Sequence, residues 1–278
     1  ARGAAARRRG GHDGAGGRPV TATRVHPSAL IDPSAVIGTG VDVGPWTIIG
    51  PHVEVGDGCR IGARCTLQQQ VRLGEGVQLG VGVHLGGDPQ DPKYRGEETW
   101  CEIGPHTIIR EYSTVNRGTT ATGHTSVGAH CFLMTYVHVA HDCHLGDHVT
   151  IANGTQMAGH VTVQDHAVIS GLNAIHQFVT IGAYSFVGGA SRVNQDVPPF
   201  TKAVGSPIEL YGLNAVLMQR LGFPPETMVA LKRAYRIVFN SDLSLSRAVA
   251  RAREEVPPLP EVERFLSFVS NAGRGVPA

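Results

Sequence analysis

Five histidines in the middle of this 278-residue chain, His138, His141, His144, His160 and His176, are its best candidates for acid–base chemistry. Histidine titrates near neutrality, so a placed imidazole can take a proton from a hydroxyl and return it later. His141 is the strongest of them because Asp142 follows it in Val139-Ala140-His141-Asp142-Cys143. A carboxylate beside an imidazole fixes its tautomer and stabilises the imidazolium. Zinc is the rival chemistry, since His138, His141 and His144 offer three imidazoles within seven residues. Nine of the fourteen histidines fall between His124 and His176. His124, His130, His148 and His166 read as solvated surface residues on the ordinary burial preference of histidine.

The element that must position these side chains is a repeat. Counted in sixes from Val25, the chain has 29 opening slots to Val193, and Ile, Leu, Val or Met fills 26 of them. The exceptions are Asp91, Glu97 and Ala121. A helix of 3.6 residues per turn would scatter every sixth residue around its surface. Short β segments joined by corners keep them on one side, and three hexapeptides close a triangular coil of eighteen residues. The aliphatic slot then points inward. Glycine is frequent in the second slot, as at Gly38, Gly44, Gly50 and Gly56, where a corner with positive φ is expected. All five cysteines (Cys59, Cys65, Cys101, Cys131, Cys143) share the fifth slot and read as small inward packing residues. Their odd number and lack of a Cys-x-x-Cys pair favour a reducing compartment.

Coil arithmetic places the histidines. His160 follows His141 by one coil plus one residue, and His176 follows His160 by one coil less two. The three therefore line one edge of the prism, about 5 Å apart per coil, with His138 close by. None occupies an inward slot, so all should face outward. By the same geometry His138, His141 and His144 point in different directions, and one subunit is not expected to gather them on a metal.

The aliphatic slots lapse at 86–102 and 119–126, both in register, which predicts loops thrown out from the coils. After Pro198-Pro199 the pattern fails, and helical spacing is read over 208–221, 225–240, 244–255 and 260–271. Met228, Leu231, Tyr235 and Val238 share one helix face, and Lys232, Arg233 and Arg236 form a basic stripe. The expected organisation is a disordered Arg/Gly/Ala-rich arm (1–24), an all-β solenoid (25–205) and an α-helical domain (206–278) that caps it. The arm holds six of the arginines and one acid, Asp13, without the apolar core of a secretory signal. Formal net charge is +1, which argues against binding a nucleic acid by bulk charge. No apolar run approaches a membrane span.

The set of motifs on this frame resembles the bacterial UDP-N-acetylglucosamine O-acyltransferases that begin lipid A synthesis. It comprises Gly86-Gly87-Asp88-Pro89-Gln90-Asp91, Ile109-Arg110-Glu111, His138-Val139-Ala140-His141-Asp142-Cys143, Met157-Ala158-Gly159-His160, Ile175-His176-Gln177-Phe178 and Gln195-Asp196-Val197-Pro198-Pro199. The resemblance covers roughly residues 25–240. It implies a left-handed parallel β-helix, a hand opposite to the usual crossover rule, and a cytoplasmic homotrimer with active sites between subunits. It implies transfer of a 3-hydroxyacyl group from acyl carrier protein to the 3-hydroxyl of UDP-N-acetylglucosamine, without a cofactor or a covalent intermediate. It makes His141 the general base, Asp142 its orienting acid, and the Gly159 N–H the oxyanion donor. It puts His138, His160 and Gln177 at the sugar and His176 in the cleft beyond. Asp91 and Lys93 come from the proline-rich loop, Asn214 and Arg220 from the helical cap, and Gly189 at the position that sets acyl length, with a long chain expected. The basic helix would meet the carrier protein.

The chain departs from the family at Gln219-Arg220-Leu221-Gly222-Phe223, where two adjacent arginines are common, and at Gly205-Ser206-Pro207, where Asn-His is common. The alternatives are the pathway's later N-acyltransferase, a γ-type zinc carbonic anhydrase and a non-catalytic scaffold. The N-acyltransferase normally carries an N-terminal uridine-binding domain, larger than a 24-residue arm.

Overall fold

The computed structural model of the protein describes residues 22–277. The expected arm lies outside them up to residue 21. Its last residue, Arg24, instead opens the first strand with Val25, paired in register with Asp42 and Val43. From there two-residue strands and tight corners wind a left-handed parallel β-helix with three faces. Sheets of eleven, nine and eight strands form these faces. Neighbours within a sheet are one coil apart, as in Phe132↔Thr150↔Val168.

The inward slots build the core. Ile49, Leu67, Leu85, Ile109, Leu133, Ile151 and Ile169 are buried in one continuous cluster that takes in all five cysteines. Each buried aliphatic side chain contributes roughly 1.5–3 kcal/mol, and stacked coils remove both faces of each layer from water. The two lapses are loops, shorter than the sequence pattern suggested. One runs between the strands His84–Gly87 and Trp100–Ile103, the other between Thr114–Asn116 and His124–Val127. Across them the pairing becomes Leu79↔Ile109 and Val115↔Val139, so whole hexapeptides are inserted and the inward register is kept.

The second-slot glycines Gly38, Gly44, Gly50 and Gly56 do not take positive φ. Gly50 is required by close approach instead: a Cβ there would lie 1.5 Å from the Gln68 carbonyl oxygen one coil on. The left-handed conformation belongs to the fourth slot, where Trp46, Tyr112, Asp142, His160 and Phe178 have φ between 57° and 64°. Stacking between coils helps hold this strained backbone. On one corner, rings pile from His106 through His130, His148, His166 and Tyr184 to Phe200, with centroids 4.6–5.4 Å apart.

The helix read over 208–221 is half strand. Glu209–Leu213 pairs antiparallel with Thr201–Val204, and Gly212 at φ 82° breaks any helix there. Four helices follow: α1 (Ala215–Arg220), α2 (Pro225–Phe239), α3 (Leu245–Glu255) and α4 (Pro260–Asn271). They share a second core of Met218, Leu231, Val249, Phe265 and Leu266, seated on Phe200 at the end of the ring stack. The tail returns to the solenoid, where the Asp196 carboxylate accepts from the Thr180 and Arg274 N–H groups.

Candidate active site

The strand His138–Val139 sits between Thr114–Asn116 and Gln156–Met157, so Thr114, His138 and Gln156 form one outward row. The Thr114 hydroxyl lies 2.7 Å from His138 Nδ1, which fixes the ring and leaves Nε2 free. Burial, and then the neighbouring His141, push the His138 pKa below its usual value, so the neutral ring is favoured.

One residue past Ala140 the chain turns the corner. His141 Nδ1 is 2.7 Å from Asp142 Oδ2, with the imidazole side chain 12% exposed and the carboxylate fully buried. Asp142 holds the corner at φ 58°, a conformation aspartate tolerates better than most residues. Its oxygens are nearly saturated. Oδ1 accepts from the Thr119 N–H at 2.9 Å and the Thr122 hydroxyl at 2.5 Å. Oδ2 accepts from the Thr119 hydroxyl at 2.8 Å in addition to His141. Burial disfavours this charge, but the Thr122, His141 and Thr119 donors outweigh it and bring the pKa down to about 2. Asp142 is thus a fixed anion at any working pH.

Gly159 comes from the next coil and lies against the other side of the imidazole. Its N–H donates to no acceptor among the described residues. His141, Gly159, His138, His176, Gln177 and Gln90 line one cavity of about 480 Å³. Five of the expected substrate-side residues, His160, Asp91, Lys93, Asn214 and Arg220, do not line it. His160 is packed behind the base: its ring meets His141 edge-on at 5.2 Å, stacks on Phe178 at 4.6 Å, and its Nε2 is 3.8 Å from Asp142 Oδ2. Asp91 is turned back to accept from the Lys93 N–H at 2.9 Å, within the loop that Gln90 extends into the cavity. Lys93 is exposed beside it. Asn214 is buried before α1, donating to the Tyr184 carbonyl at 2.9 Å, and Arg220 is exposed in the last turn of α1. Gly189 is an exposed corner residue, where a Cβ would lie 3.2 Å from the Gly171 carbonyl oxygen.

Several lining or supporting residues escaped the sequence reading. Gln90 lay within a quoted motif. Gln156 follows His138 by one coil, and Arg192 adds a guanidinium to the cavity wall. Thr119 and Thr122 had no signal beyond the lapse of the repeat. The three imidazoles considered for zinc are not gathered: His144 stands on a different sheet from His138, with Nδ1 3.0 Å from the Ser126 hydroxyl. The one cluster of metal-type ligands among the described residues is His141, Asp142 and His160, with ligand atoms within 4.8 Å of one another.

A three-faced β-helix of hexapeptides with a histidine at the cavity places the chain among the hexapeptide-repeat proteins. The bacterial transferase hexapeptide family matches residues 124–159, and the second domain of UDP-N-acetylglucosamine O-acyltransferase matches residues 196–277. An acyl-[acyl-carrier-protein]--UDP-N-acetylglucosamine O-acyltransferase of Myxococcus xanthus is 47% identical over 192 residues, covering 69% of this chain and 74% of that one. Its counterpart in Alkalilimnicola ehrlichii is 45% identical over the same shares. The solved UDP-N-acetylglucosamine acyltransferase of Bacteroides fragilis superposes with a TM-score of 0.90 at 38% identity, covering 92% of this chain and all of that one. The chain belongs to the UDP-N-acetylglucosamine O-acyltransferase family.

Proposed function

We propose that the chain transfers an acyl group from acyl carrier protein to the 3-hydroxyl of UDP-N-acetylglucosamine, the reaction that opens lipid A biosynthesis. The observation that carries the mechanism is the His141–Asp142 bond of 2.7 Å. With Nδ1–H donated to a buried anion, Nε2 is the basic nitrogen, and it faces the cavity beside Gly159.

His141 Nε2 takes the proton of the sugar hydroxyl, and the oxygen attacks the thioester carbonyl carbon. Asp142 stabilises the imidazolium that forms. The tetrahedral oxyanion accepts from the uncommitted Gly159 N–H, a donor of a kind worth about 3 kcal/mol in the transition state. Collapse breaks the carbon–sulfur bond, and the imidazolium returns its proton to the leaving thiolate. The chain supplies base, acid and donor itself, with no cofactor and no acyl-enzyme.

Gln90, His138, His176 and Gln177 bind the substrates in this cavity, and Asp91 and Lys93 reach it when the sugar nucleotide draws the loop inward. His160 acts from behind, holding Asp142 and the edge of His141. Asn214 and Arg220 sit at the end of a different corner, past Tyr184, so their part in nucleotide binding needs a neighbouring subunit. That supports a homotrimer with clefts between copies. The large apolar side chains left in water at Leu30, Val36, Trp46 and Leu172, 64–72% exposed, support the same assembly. Leu221 removes one possible cation from the nucleotide site. The exposed Lys232, Arg233 and Arg236 on α2 suit an acidic carrier protein. No helix among the described residues is long and apolar enough to cross a membrane, and the reading places the enzyme in the cytoplasm.

The test is direct: UDP-N-acetylglucosamine is incubated with a panel of acyl carrier protein thioesters and the products are weighed by mass spectrometry. A single-acyl mass increase on the sugar nucleotide is expected. Bicarbonate dehydration with bound stoichiometric zinc would favour the metal reading of His141, Asp142 and His160.

A further inference from the structure

The two loops thrown out from the solenoid are held by one short piece of chain. Arg117 is 2% exposed, and a buried guanidinium demands partners. It finds them in the first loop and in the strand that leads into it. Its Nη1 donates to the Gly86 carbonyl at 2.7 Å, its Nη2 to the Tyr94 hydroxyl at 2.7 Å, and Nη2 also pairs with the Asp88 carboxylate. The Arg117 N–H donates to the Gly87 carbonyl at 3.0 Å, and Asn116 Nδ2 to the Asp88 carbonyl at 2.6 Å. Two residues further, the Thr119 N–H and hydroxyl both hold Asp142. Gly118 between them leaves no slack, since a Cβ there would lie 2.5 Å from the His124 nitrogen.

We propose that Arg117 is a positioning residue for acyl transfer, clamping the loop that carries Gln90 to the same strut whose other end, Thr119, aims Asp142 at His141. The proposal rests on the acyltransferase reading. It makes the strut a two-ended device. The Arg117 end sets how the loop closes on the sugar nucleotide, and the Thr119 end sets the alignment of the base. Damage at the two ends therefore has different kinetic signatures.

The test uses the full-length enzyme with saturating acyl carrier protein thioester and varied UDP-N-acetylglucosamine. Arg117→Met strands the loop's acceptors and can fail to fold, so the loop-side variants Tyr94→Phe and Asp88→Asn carry the test. Each is expected to raise KM for the sugar nucleotide about tenfold with kcat within twofold, the size expected for a lost bond to a charged group. Thr119→Val is expected to lower kcat about tenfold with KM within twofold, and Thr119→Ser to restore it. Unchanged KM in both loop-side variants, with wild type active, overturns the clamp and leaves the acyltransferase reading standing. A wild type without transfer overturns both.

Discussion

The ring of His141 passes so close to Gly159 that only a hydrogen fits between them. A Cβ on residue 159 would lie 2.6 Å from His141 Cε1 and 2.8 Å from Nε2. Two coils thus meet at a point where one supplies an imidazole and the other an unpaired N–H, and the absence of a side chain brings them together.

Gly159→Ala should therefore fold and still fail. The methyl pushes the imidazole away from the hydroxyl it must deprotonate, and displacement by about 1 Å can lower a rate a hundredfold. The expected result is a kcat at least about a hundredfold down with a native circular dichroism spectrum. A kcat near wild type would show that the ring of His141 is not the base.

His141→Ala removes the base itself. The side chain belongs to the outer wall of the coil, not to the inward aliphatic stack, so the solenoid should form and assemble normally. Transfer should fall by about two to four orders of magnitude, the usual range for losing a positioned general base. Rates from initial velocities at saturating substrates check this, and near-normal turnover would sink the assignment.

The inward slots were legible because burial imposes their chemistry locally: every sixth residue from Val25 that lies in a coil is aliphatic, and the exceptions Asp91, Glu97 and Ala121 fall in the two loops. The loops were legible for the same reason, since an insertion that is not a multiple of six would turn Val115 or Val139 outward. Glycine was misread because two mechanisms favour the same residue. At Gly50 the constraint is a carbonyl of another coil, invisible in local sequence, while the left-handed corners are held by rings such as His148 and His166 stacked across coils. Residues 208–214 were misread as helix because apolar spacing cannot anticipate the partner strand Thr201–Val204. The dyad itself was visible as neighbours in sequence. Its support was not, because Thr119 and Thr122 reach Asp142 across 23 and 20 residues by way of a loop outside the repeat.

Five thiols make a sensitive probe of the core. Burial pushes Cys65 and Cys131 up to about 11 and Cys101 and Cys143 up to about 12, and raises Cys59 as well. Thiolate is the reactive form, so none of the five should react with a disulfide reagent at pH 8 in the native enzyme. All five should react after denaturation in urea. Fast labelling of even one thiol under native conditions would mean that the coils open at that level.

Asp142 links the site to stability through its proton. Its folded pKa of about 2 lies below the ordinary 3.8 of a free aspartate. A depressed carboxylate stabilises the fold once it is ionised in both states, so the contribution is complete above the unfolded value. It is lost as pH falls from about 4 through 2, where the unfolded chain takes up a proton first. The gap corresponds to about 2 kcal/mol. Asp142→Asn deletes that term and turns an amide donor toward Thr119 and Thr122, which themselves donate. At pH 7 the variant should be less stable by about 2 kcal/mol, and the difference from wild type should shrink toward pH 2. Its transfer rate should also fall, because an amide accepts less strongly from Nδ1–H and no longer offsets the charge of the imidazolium. Urea unfolding of both proteins at pH 7, 4 and 2.5 measures the first effect. A stability difference independent of pH would show that the carboxylate is not held as an anion by the threonines.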